Sequence, residues 1–283
     1  MRLTTEQHQA DWASRVEYYA REAVDKTRPF AEALVAFVDP PPGARVLDVA
    51  TGPGVVAIEA AKRVGLAGVV VAADFIPHWE PHVAAAAQAA GAGNVEFKTM
   101  PAEALAFASD SFDVVLCQFG LMFIPDPARA LGEMHRVLRP GGALGVAVWS
   151  VAERVGLFLM SRMLGAALPP PPGEPPPSPT SMGEPGLIER LVADAGFTRV
   201  TVERVTRAFD VADAETAWRE WSETPGSPMA GGLASLSGAE RDRLRRDVIA
   251  ALEQYRQGDL LSIPSEAILV KGVKPAGAST DSE

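Results

Sequence analysis

The sequence predicts an α/β protein whose core is a doubly wound, mostly parallel sheet. Apolar runs of strand length occur at residues 46–49, 69–73 and 111–120, and turn residues follow each run. Helical patterns separate the runs, an order typical of parallel strands that are joined by crossover helices. At 283 residues the chain is long for one domain and short for two. We therefore expect one core domain with insertions.

The composition is that of an ordinary globular protein, with 47% hydrophobic and 22% charged residues. The formal net charge of −10 argues against nucleic acid as a partner, because such binding needs cationic contacts to phosphate. Cys117 is the one cysteine, which excludes an intrachain disulfide and a cysteine-rich metal site. No apolar signal core and no run of roughly 18 apolar residues is present, so we expect a cytoplasmic protein without a membrane span.

The N-terminal residues 6–38 have apolar side chains at helical spacing, and Pro-Pro-Pro-Gly at residues 40–43 ends the pattern. Residues 46–57 follow. There an apolar run containing Asp48 turns through Gly52 and Gly54 and becomes an alanine-rich amphipathic segment. This order is typical of a buried strand that leads into a helix around a nucleotide, with glycines where the backbone approaches the ligand.

Two ligand classes fit this turn. Gly52, Gly54 and Ala57 match the loose dinucleotide fingerprint, in which a pyrophosphate binds backbone N–H groups at the helix N-terminus. The carboxylate of Asp48 would repel a pyrophosphate in a partly desolvated cleft. It would attract a ligand that carries a cation and no phosphate, such as S-adenosylmethionine. The charge of Asp48 therefore favours the second ligand.

Residues 47–54, Leu-Asp-Val-Ala-Thr-Gly-Pro-Gly, resemble motif I of the class I S-adenosylmethionine-dependent methyltransferases. The resemblance is closest to the branch related to the ubiquinone and menaquinone biosynthesis methyltransferases. It extends over roughly residues 10–150 and returns at 186–205 and 262–273. Ala50 stands where the family usually has glycine. The resemblance implies a Rossmann-like fold with seven strands and an N-terminal helical region over the cofactor cleft.

Asp74 ends the second apolar run, 20 residues after Gly54. An acid at this place can accept hydrogen bonds from both hydroxyls of a ribose, and the alternative is a solvated loop carboxylate. By the resemblance, Phe75 would lie against the adenine ring. A short strand at residues 94–98 then leads into 100–107, which resembles the family's adenine-reading segment. Pro101 replaces the usual acid there, so adenine would depend on the backbone of Ala102, with Glu103 as a substitute acceptor.

Residues 111–120 predict a buried fourth strand and a loop at its carboxyl end, where doubly wound sheets bind ligands. Gln118, Phe119 and Gly120 should face the transferred methyl group, and Cys117 is expected to be buried filler. Asp126 and Pro127 predict the start of a helix, and residues 143–149 a fifth strand. The resulting cofactor-binding set is Asp48, Ala50, Thr51, Gly52, Gly54, Asp74, Phe75, Ala102, Glu103, Gln118 and Phe119.

No catalytic base and no metal site is predicted. His78 and His82 have metal-ligand spacing, but Pro81 lies between them and no third ligand is evident. Histidines at the rim of the cleft are the better interpretation. Tyr18 and Tyr19 could contact methionine or substrate, although packing is the more common role of aromatic residues at this spacing.

The second half of the chain predicts a helix at 155–168, a connector with eight prolines at 169–179, and another helix at 186–195. Strands are expected at 200–205 and 265–270, with two helical pieces in 213–257. The interpretation as a whole is one methyltransferase domain over 1–274. It comprises a helical cover at 6–42, a cofactor-binding core at 43–150, and lid insertions at 151–185 and 208–260. A disordered tail follows at 275–283.

The predicted function is S-adenosylmethionine-dependent methyl transfer to a small, largely apolar or aromatic molecule, with secondary metabolism as the setting. The substrate would meet a lid whose apolar residues are Leu157, Phe158, Leu159, Met160, Met163, Leu164, Trp218, Trp221 and Met229. The same apolar helix could instead form a homodimer interface. Two other functions stay open: an NAD(P)-dependent oxidoreductase, and a cyclase or scaffold that binds the cofactor without transferring its methyl group.

Overall fold

The computed structural model describes residues 5–169, 178–225 and 227–276. Three N-terminal helices precede an alternation of strands and helices, and the second half of the chain adds a helical group between the last long strands. The helices are α1 (Thr5–Ala13), α2 (Val16–Glu22), α3 (Val24–Val38), α4 (Val55–Val64), α5 (Glu80–Ala90), α6 (Pro127–Val137), α7 (Leu159–Ala167), α8 (Leu187–Asp194), α9 (Ala214–Glu223), α10 (Ala230–Ser235) and α11 (Gly238–Leu252). The strands are β1 (Arg45–Val49), β2 (Val69–Asp74), β3 (Val95–Thr99), β4 (Phe112–Gln118), β5 (Leu138–Trp149), β6 (Thr198–Val211), β7 (Arg256–Gln257) and β8 (Leu260–Val273).

The sheet has the strand order β3-β2-β1-β4-β5-β8-β6. Strands β1 to β5 pair in parallel, and β8 is antiparallel to both β5 and β6. The doubly wound, mostly parallel sheet is therefore confirmed. The expected count of seven strands is wrong for the described residues. An eighth, β7, pairs with the start of β8 across a turn at Gly258, whose φ is +62°.

Helices cover both faces of this sheet. An added Cβ at Gly145 would meet Val38 and Leu34 of α3, whereas one at Gly272 would meet Val192 of α8. Gly145 pairs with Lys271, and residues 271 and 272 point to opposite faces because side chains alternate along a strand. Helices α3 and α8 therefore lie on opposite faces, and the core is a sheet buried between two helical layers.

Strand β2 lies directly beside β1, with Asp48 opposite Ala72. The predicted cofactor site requires this arrangement, because Asp74 would lie away from the glycine turn if the two strands were separated. Strand β1 lies between β2 and β4, which makes its carboxyl end the point where the strand order reverses. Ligands of doubly wound sheets bind at this point.

The long strands β6 and β8 continue beyond the end of β5. The last residue of β5, Trp149, pairs with Ala267, whereas β6 and β8 remain paired as far as Val211 and Leu261. The predictions of strands at 200–205 and 265–270 were therefore too short. The extension carries half-exposed residues, so its sequence lacks the continuous apolar run that marks a buried strand.

Helices α7, α9, α10 and α11 pack on this extension as a second hydrophobic cluster, which we call the cap. The region 213–257 contains three α-helices rather than the two pieces expected. Helix α10 was missed because Gly231 and Gly232 disfavour a helix, yet Gly232 allows close packing against Leu164 and Leu168. The expected helix at 155–168 begins at Leu159, after two short 3-10 turns.

The apolar residues that were predicted to line a lid chamber pack mainly on one another. Five of the nine are buried in the cap cluster, which accounts for them without a ligand: Leu159, Met160, Leu164, Trp218 and Trp221. Leu157, Phe158, Met163 and Met229 are half-buried. Closure of the cap over a substrate stays a prediction.

The N-terminal helices pack on the segment after β2. Val16 of α2 joins Ile76 and Trp79 in a third cluster, with Trp12 and Tyr19 against it. We call helices α1 and α2 the cover. The middle of the predicted proline connector and residues 277–283 lie outside the described residues. Among the helices that the structure describes, none is both long and apolar enough to cross a membrane.

Candidate active site

The glycine turn after β1 adopts backbone conformations that ordinary residues avoid. Ala50, Gly52 and Gly54 have φ values of +56°, +53° and +87°. Glycine carries no penalty at such angles, which explains Gly52 and Gly54, whereas Ala50 adopts the left-handed region with a side chain. Helix α4 starts directly after Gly54, so its first free N–H groups lie next to the turn.

The side chain of Asp48, in β1, hydrogen-bonds within this turn. Asp48 is 1% exposed and its side chain accepts a hydrogen bond from Thr51 Oγ1 at 2.6 Å, while the nearby backbone N–H of Ala57 favours the ionised carboxylate. Burial raises the pKa of Asp48 to about 7 despite these interactions. The carboxyl group therefore fixes the loop and the start of α4, and it is only partly ionised at neutral pH.

Asp74 connects the end of β2 to the same turn. Its Oδ2 accepts a hydrogen bond from Gly52 N at 2.9 Å and its Oδ1 one from Ile76 N at 3.0 Å. The residue is 6% exposed, and burial raises its pKa to about 6. A carboxylate offers about four lone-pair positions, so acceptor capacity remains for the hydroxyls of a ribose.

The loop after β4 touches the loop after β1. A Cβ added at Gly120 would lie 2.5 Å from the Cβ of Ala50, so only glycine fits there. Phe119 has a φ of +54°, an uncommon value for a bulky residue, and its N–H donates to Ala147 O at 2.8 Å. The strands β1, β2 and β4 thus bring Gly52, Asp74 and Gly120 to one cleft.

Gln118 has an unused acceptor. Its Nε2 donates to the carbonyl of Thr27 at 3.3 Å, whereas its Oε1 is buried without a hydrogen-bond partner. The carbonyl of Thr27 fixes the orientation of the amide, because a flipped side chain would place two carbonyl oxygens together. A buried acceptor without a donor is costly, which is expected where a ligand supplies the donor.

An aromatic cluster adjoins Gln118. The ring of Phe119 stacks on Trp149 with centroids 3.9 Å apart and an interplanar angle of 4°. Phe30 packs edge-on against both rings, and Phe158 packs edge-on against Trp149. Trp149 and Phe30 were not identified from the sequence. The available signal was an aromatic residue at the last position of the predicted fifth strand.

The predicted adenine segment begins next to Asp74, where Met100 N donates to Asp74 O at 2.8 Å. Ala102 is buried, and the carbonyl of Glu103 accepts from Arg129 Nε at 3.0 Å. Phe75 packs with the cover, and its carbonyl accepts from Gln9 Nε2 at 2.8 Å. Tyr19 is half-buried against the same cluster, and Tyr18 lies near Ser227 in the loop between α9 and α10.

Two further residues from the sequence analysis, Cys117 and His82, contact other parts of the protein. Cys117 is buried, as expected, and burial raises the pKa of its thiol to about 12. His82 lies in α5, packs against Trp79, and approaches Glu17 of the cover at 3.4 Å. Among the described residues no three His, Cys, Asp or Glu side chains converge as a metal site would require.

The polar groups of the cleft fit a ligand that has an adenosyl group and an amino-acid tail. The cleft offers a carboxylate with spare acceptor capacity at Asp74, an unpaired acceptor at Gln118, and open space beside the α-carbon of Gly52. Among the hydrogen bonds and ion pairs of the described residues, none joins a cationic side chain to residues 50–54, whereas recognition of a pyrophosphate would favour such a contact.

Comparison with known proteins gives the same assignment. Residues 46–142 match the model of the family described as "Methyltransferase domain". An uncharacterised protein of Mycobacterium tuberculosis is 35% identical over 213 residues, which cover 73% of each chain. A ubiquinone/menaquinone biosynthesis C-methyltransferase of Geobacter sulfurreducens is 42% identical over 131 residues, or 43% of this chain and 50% of its own.

The nocamycin O-methyltransferase of Saccharothrix syringae is 37% identical over 128 residues, which are 45% of this chain and 46% of its own. The aligned residues thus cover about half the length of each of these two named methyltransferases. Among solved structures, a Bacillus halodurans C-125 protein assigned as a methyltransferase has a TM-score of 0.57 at 21% identity, covering 87% of this chain and 98% of its own. The cyclase SpnF has a TM-score of 0.53 at 21% identity, covering 88% and 81%. Such likenesses show the fold alone.

Proposed function

Because the chain belongs to the S-adenosylmethionine-dependent methyltransferases, we propose that it methylates a small, largely apolar or aromatic molecule at the carboxyl ends of β4 and β5. The observation that carries the proposal is the aromatic cluster beside the cofactor cleft, in which half-buried Phe119 and Phe158 pack on the buried rings of Trp149 and Phe30. Aromatic walls bury flat apolar ligands well and leave few polar groups unpaired.

The residues proposed to hold the cofactor come from four loops. The backbone of Ala50, Thr51, Gly52 and Gly54 would lie along the methionine part, and Asp48 keeps this turn in shape. Asp74 would accept the ribose hydroxyls beside Phe75. Ala102 and Glu103 would meet the adenine, and Gln118 and Phe119 would lie nearest the reacting group. The burial and hydrogen bonds of Asp48, Asp74 and Gln118 support this assignment.

S-adenosylmethionine supplies a methyl group that its sulfonium already activates. The protein must therefore align the acceptor atom, exclude water and remove a proton where the acceptor carries one. Gln118 cannot act as a base, but its Oε1 can accept a hydrogen bond from the acceptor and orient it.

The named relatives methylate carbon in one case and oxygen in another, so the acceptor atom of this chain is a matter for experiment. The nocamycin enzyme supports the proposal that the reaction belongs to secondary metabolism. The fold is also used by a cyclase, which makes methyl transfer itself the first property to test.

The test uses methyl-labelled S-adenosylmethionine with a small-molecule extract of the source cells. We expect label in a low-molecular-weight product that extracts into organic solvent. Phe158→Ala should raise the KM for that substrate and leave the affinity for S-adenosylhomocysteine unchanged. Binding of S-adenosylhomocysteine without any transfer of label would contradict the proposal and favour a cyclase or scaffold.

The cofactor site is tested separately through Asp74. Asp74→Ala should weaken binding of S-adenosylhomocysteine by about 2–3 kcal/mol, the range for charge-assisted hydrogen bonds to two hydroxyls. Isothermal titration calorimetry measures this change. Glu96→Ala, on the exposed surface of neighbouring β3, is the control and should bind like the wild type. Equal affinity in both variants would remove Asp74 from the site.

A further inference from the structure

The link between β3 and β4, residues 100–111, crosses from one strand to the next without a helix. A parallel crossover usually contains a helix, which pairs its own backbone N–H and C=O groups. An irregular link has no such internal pairing, yet buried backbone groups need partners. The partners of this link show what holds it in place.

Side chains of α6 supply these partners. Arg136 donates from Nη2 to Leu105 O and from Nη1 to Phe107 O, both at 2.8 Å. Glu133 Oε2 accepts from Leu105 N at 2.9 Å, and Arg129 Nε donates to Glu103 O at 3.0 Å. Residues 129, 133 and 136 lie on one helix face. We call these three side chains the clamp.

The clamp is also internally paired. Arg136 Nε lies 2.7 Å from Glu133 Oε1, and its Nη2 lies 2.8 Å from Glu133 Oε2. The hydrogen bond from Arg136 holds the pKa of Glu133 below its usual range, so the carboxylate stays charged. Bidentate pairs of this kind fix geometry as well as contribute energy. The clamp therefore fixes the position of residues 103–107 relative to α6.

The fixed link begins at the proposed adenine site. Met100 N is bonded to Asp74 O, and Ala102 and Glu103 follow directly. Pro101 cannot donate a hydrogen bond and has no carboxylate. Recognition of the base is then left to the N–H of Ala102 and to Glu103, whose carbonyl Arg129 holds. A single backbone N–H distinguishes bases only if its position is fixed.

We infer that Arg129, Glu133 and Arg136 are positioning residues that set the preference of the cofactor site for adenine over other purines. Adenine presents an acceptor at N1 and a donor at its 6-amino group. Hypoxanthine presents a donor at N1 and an acceptor at position 6. An Ala102 N–H in a fixed position can donate a hydrogen bond to N1 of adenine, whereas in hypoxanthine it would face the N1–H donor. The inference rests on the proposed placement of adenine at Ala102.

The surroundings of the clamp decide which substitutions can test it. A cleft of about 480 Å³ adjoins the clamp, and it is lined by Glu103, Ala104, Leu105, Arg129, Gly132 and Glu133. Arg129 is exposed, so Arg129→Ala leaves no internal cavity. Glu133→Gln keeps the volume, and Arg136→Lys keeps the charge while it loses the fork that reaches two carbonyls. Arg139→Ala is the control, because Arg139 pairs with Asp113 instead of the link.

The experiment measures the dissociation constants of S-adenosyl-L-homocysteine and S-inosyl-L-homocysteine for each variant by calorimetry. We expect the wild type and Arg139→Ala to favour the adenosyl ligand by at least about tenfold. This ratio should fall to about threefold or less in Glu133→Gln and Arg136→Lys, and by a smaller factor in Arg129→Ala. Loss of folded protein alone lowers both apparent affinities equally and leaves the ratio unchanged.

A ratio that equals the wild-type value in all three clamp variants overturns the inference, even if their melting temperatures fall. A wild type that binds both ligands equally also overturns it, because no preference then exists to be set. A wild type that binds neither ligand refutes the cofactor site itself, which distinguishes failure of the proposed function from failure of this inference.

Discussion

Asp48 and Asp74 are two buried carboxyl groups at one edge of the sheet, and their protonation couples to folding. Burial raises the pKa of Asp48 from 3.8 to about 7 and that of Asp74 from 3.8 to about 6. The folded state therefore holds these protons more tightly than the unfolded chain. Their protonation stabilises the fold below the unfolded pKa, and this contribution is lost as the pH rises through about 6 to 7.

The pH prediction concerns Asp48→Asn, which cannot titrate at this position. The free energy of unfolding of the wild type should fall by up to about 4 kcal/mol between pH 4 and pH 8 through Asp48, from about three pKa units at 1.36 kcal/mol each. In Asp48→Asn the fall should be smaller, with the Asp74 part remaining. Urea unfolding at several pH values measures this pH dependence of the free energy of unfolding. Asp242→Asn, exposed on α11, should keep the wild-type slope, and a wild-type slope in Asp48→Asn would contradict the argument.

Ala50 carries a side chain at a φ of +56°, where glycine has no penalty. Ala50→Gly should raise the free energy of unfolding by about 0.5 kcal/mol, because relief of the strained backbone exceeds the added entropy of the unfolded chain. Ala85→Gly in the exposed middle of α5 should instead lower it by about 1 kcal/mol. Urea unfolding compares the two variants. Destabilisation by both would show that Ala50 is not strained.

The structure brings several of the residues predicted for the cofactor site together, and it gives one of them surroundings that the sequence did not indicate. Asp74 and Gly52 were chosen from spacing, and a hydrogen bond joins them. Asp48 was chosen for its charge, yet the structure gives it Thr51 and Ala57 as partners and a pKa near neutrality. Its main part is thus to shape the turn, and Coulomb repulsion of a pyrophosphate is weaker than the sequence argument assumed. Burial raises the pKa of Asp48, and burial depends on tertiary packing that the sequence of one segment does not encode.

At the scale of elements, the ribbon of β6 and β8 carries the cap away from the sheet. Glu266 lies where the ribbon leaves β5, and its carboxylate accepts from Ser150 Oγ at 2.7 Å. Arg154 and Arg204 approach the same carboxylate at 3.1 and 3.2 Å. One carboxylate therefore joins the end of β5, the segment before α7 and both strands of the ribbon.

Glu266→Gln should lower the free energy of unfolding by about 1–2 kcal/mol, since two half-exposed guanidinium groups lose their counter-charge while solvent screens part of the loss. Glu203→Gln, on the exposed face of β6, should stay within about 0.5 kcal/mol of the wild type. Chemical denaturation of both variants gives the comparison. Equal stabilities would mean that the network adds nothing to the attachment of the cap.

The elements that the sequence predicted well are those with a continuous apolar pattern. Strands β1, β2 and β4 are buried on both sides, and Asp126 caps α6 through Arg129 N as its sequence indicates. The extension of β6 and β8 was missed because its residues face the cap on one side and solvent on the other. Helix α10 was missed because packing against α7 outweighs the low helix propensity of its two glycines.

For the molecule as a whole, the cover packs on the segment after β2 and the cap packs on the extension of β6 and β8, with Tyr18 of α2 near Ser227 in the loop between α9 and α10. Burial raises the pKa of this phenol to about 12, so its hydroxyl remains a donor at physiological pH. Both covering parts pack on segments that leave the carboxyl edge of the sheet. The amino edge, with its turns at residues 40–44, 65–68 and 91–94, lies at the opposite ends of these strands.

This asymmetry predicts where a bound ligand slows amide hydrogen exchange. With S-adenosylhomocysteine at about 100 times its dissociation constant, global stability should rise by about 2.7 kcal/mol, which slows exchange of globally protected amides everywhere. Amides that exchange by local opening should be slowed only at residues 50–54, 74–76 and 118–120 and in the cover, because the ligand stabilises the closed state of these segments. Mass spectrometry of exchanged peptides measures both effects, and the turns of the amino edge in the same sample are the internal control. Local protection at the amino edge, or none at 50–54, would place the ligand elsewhere on the molecule.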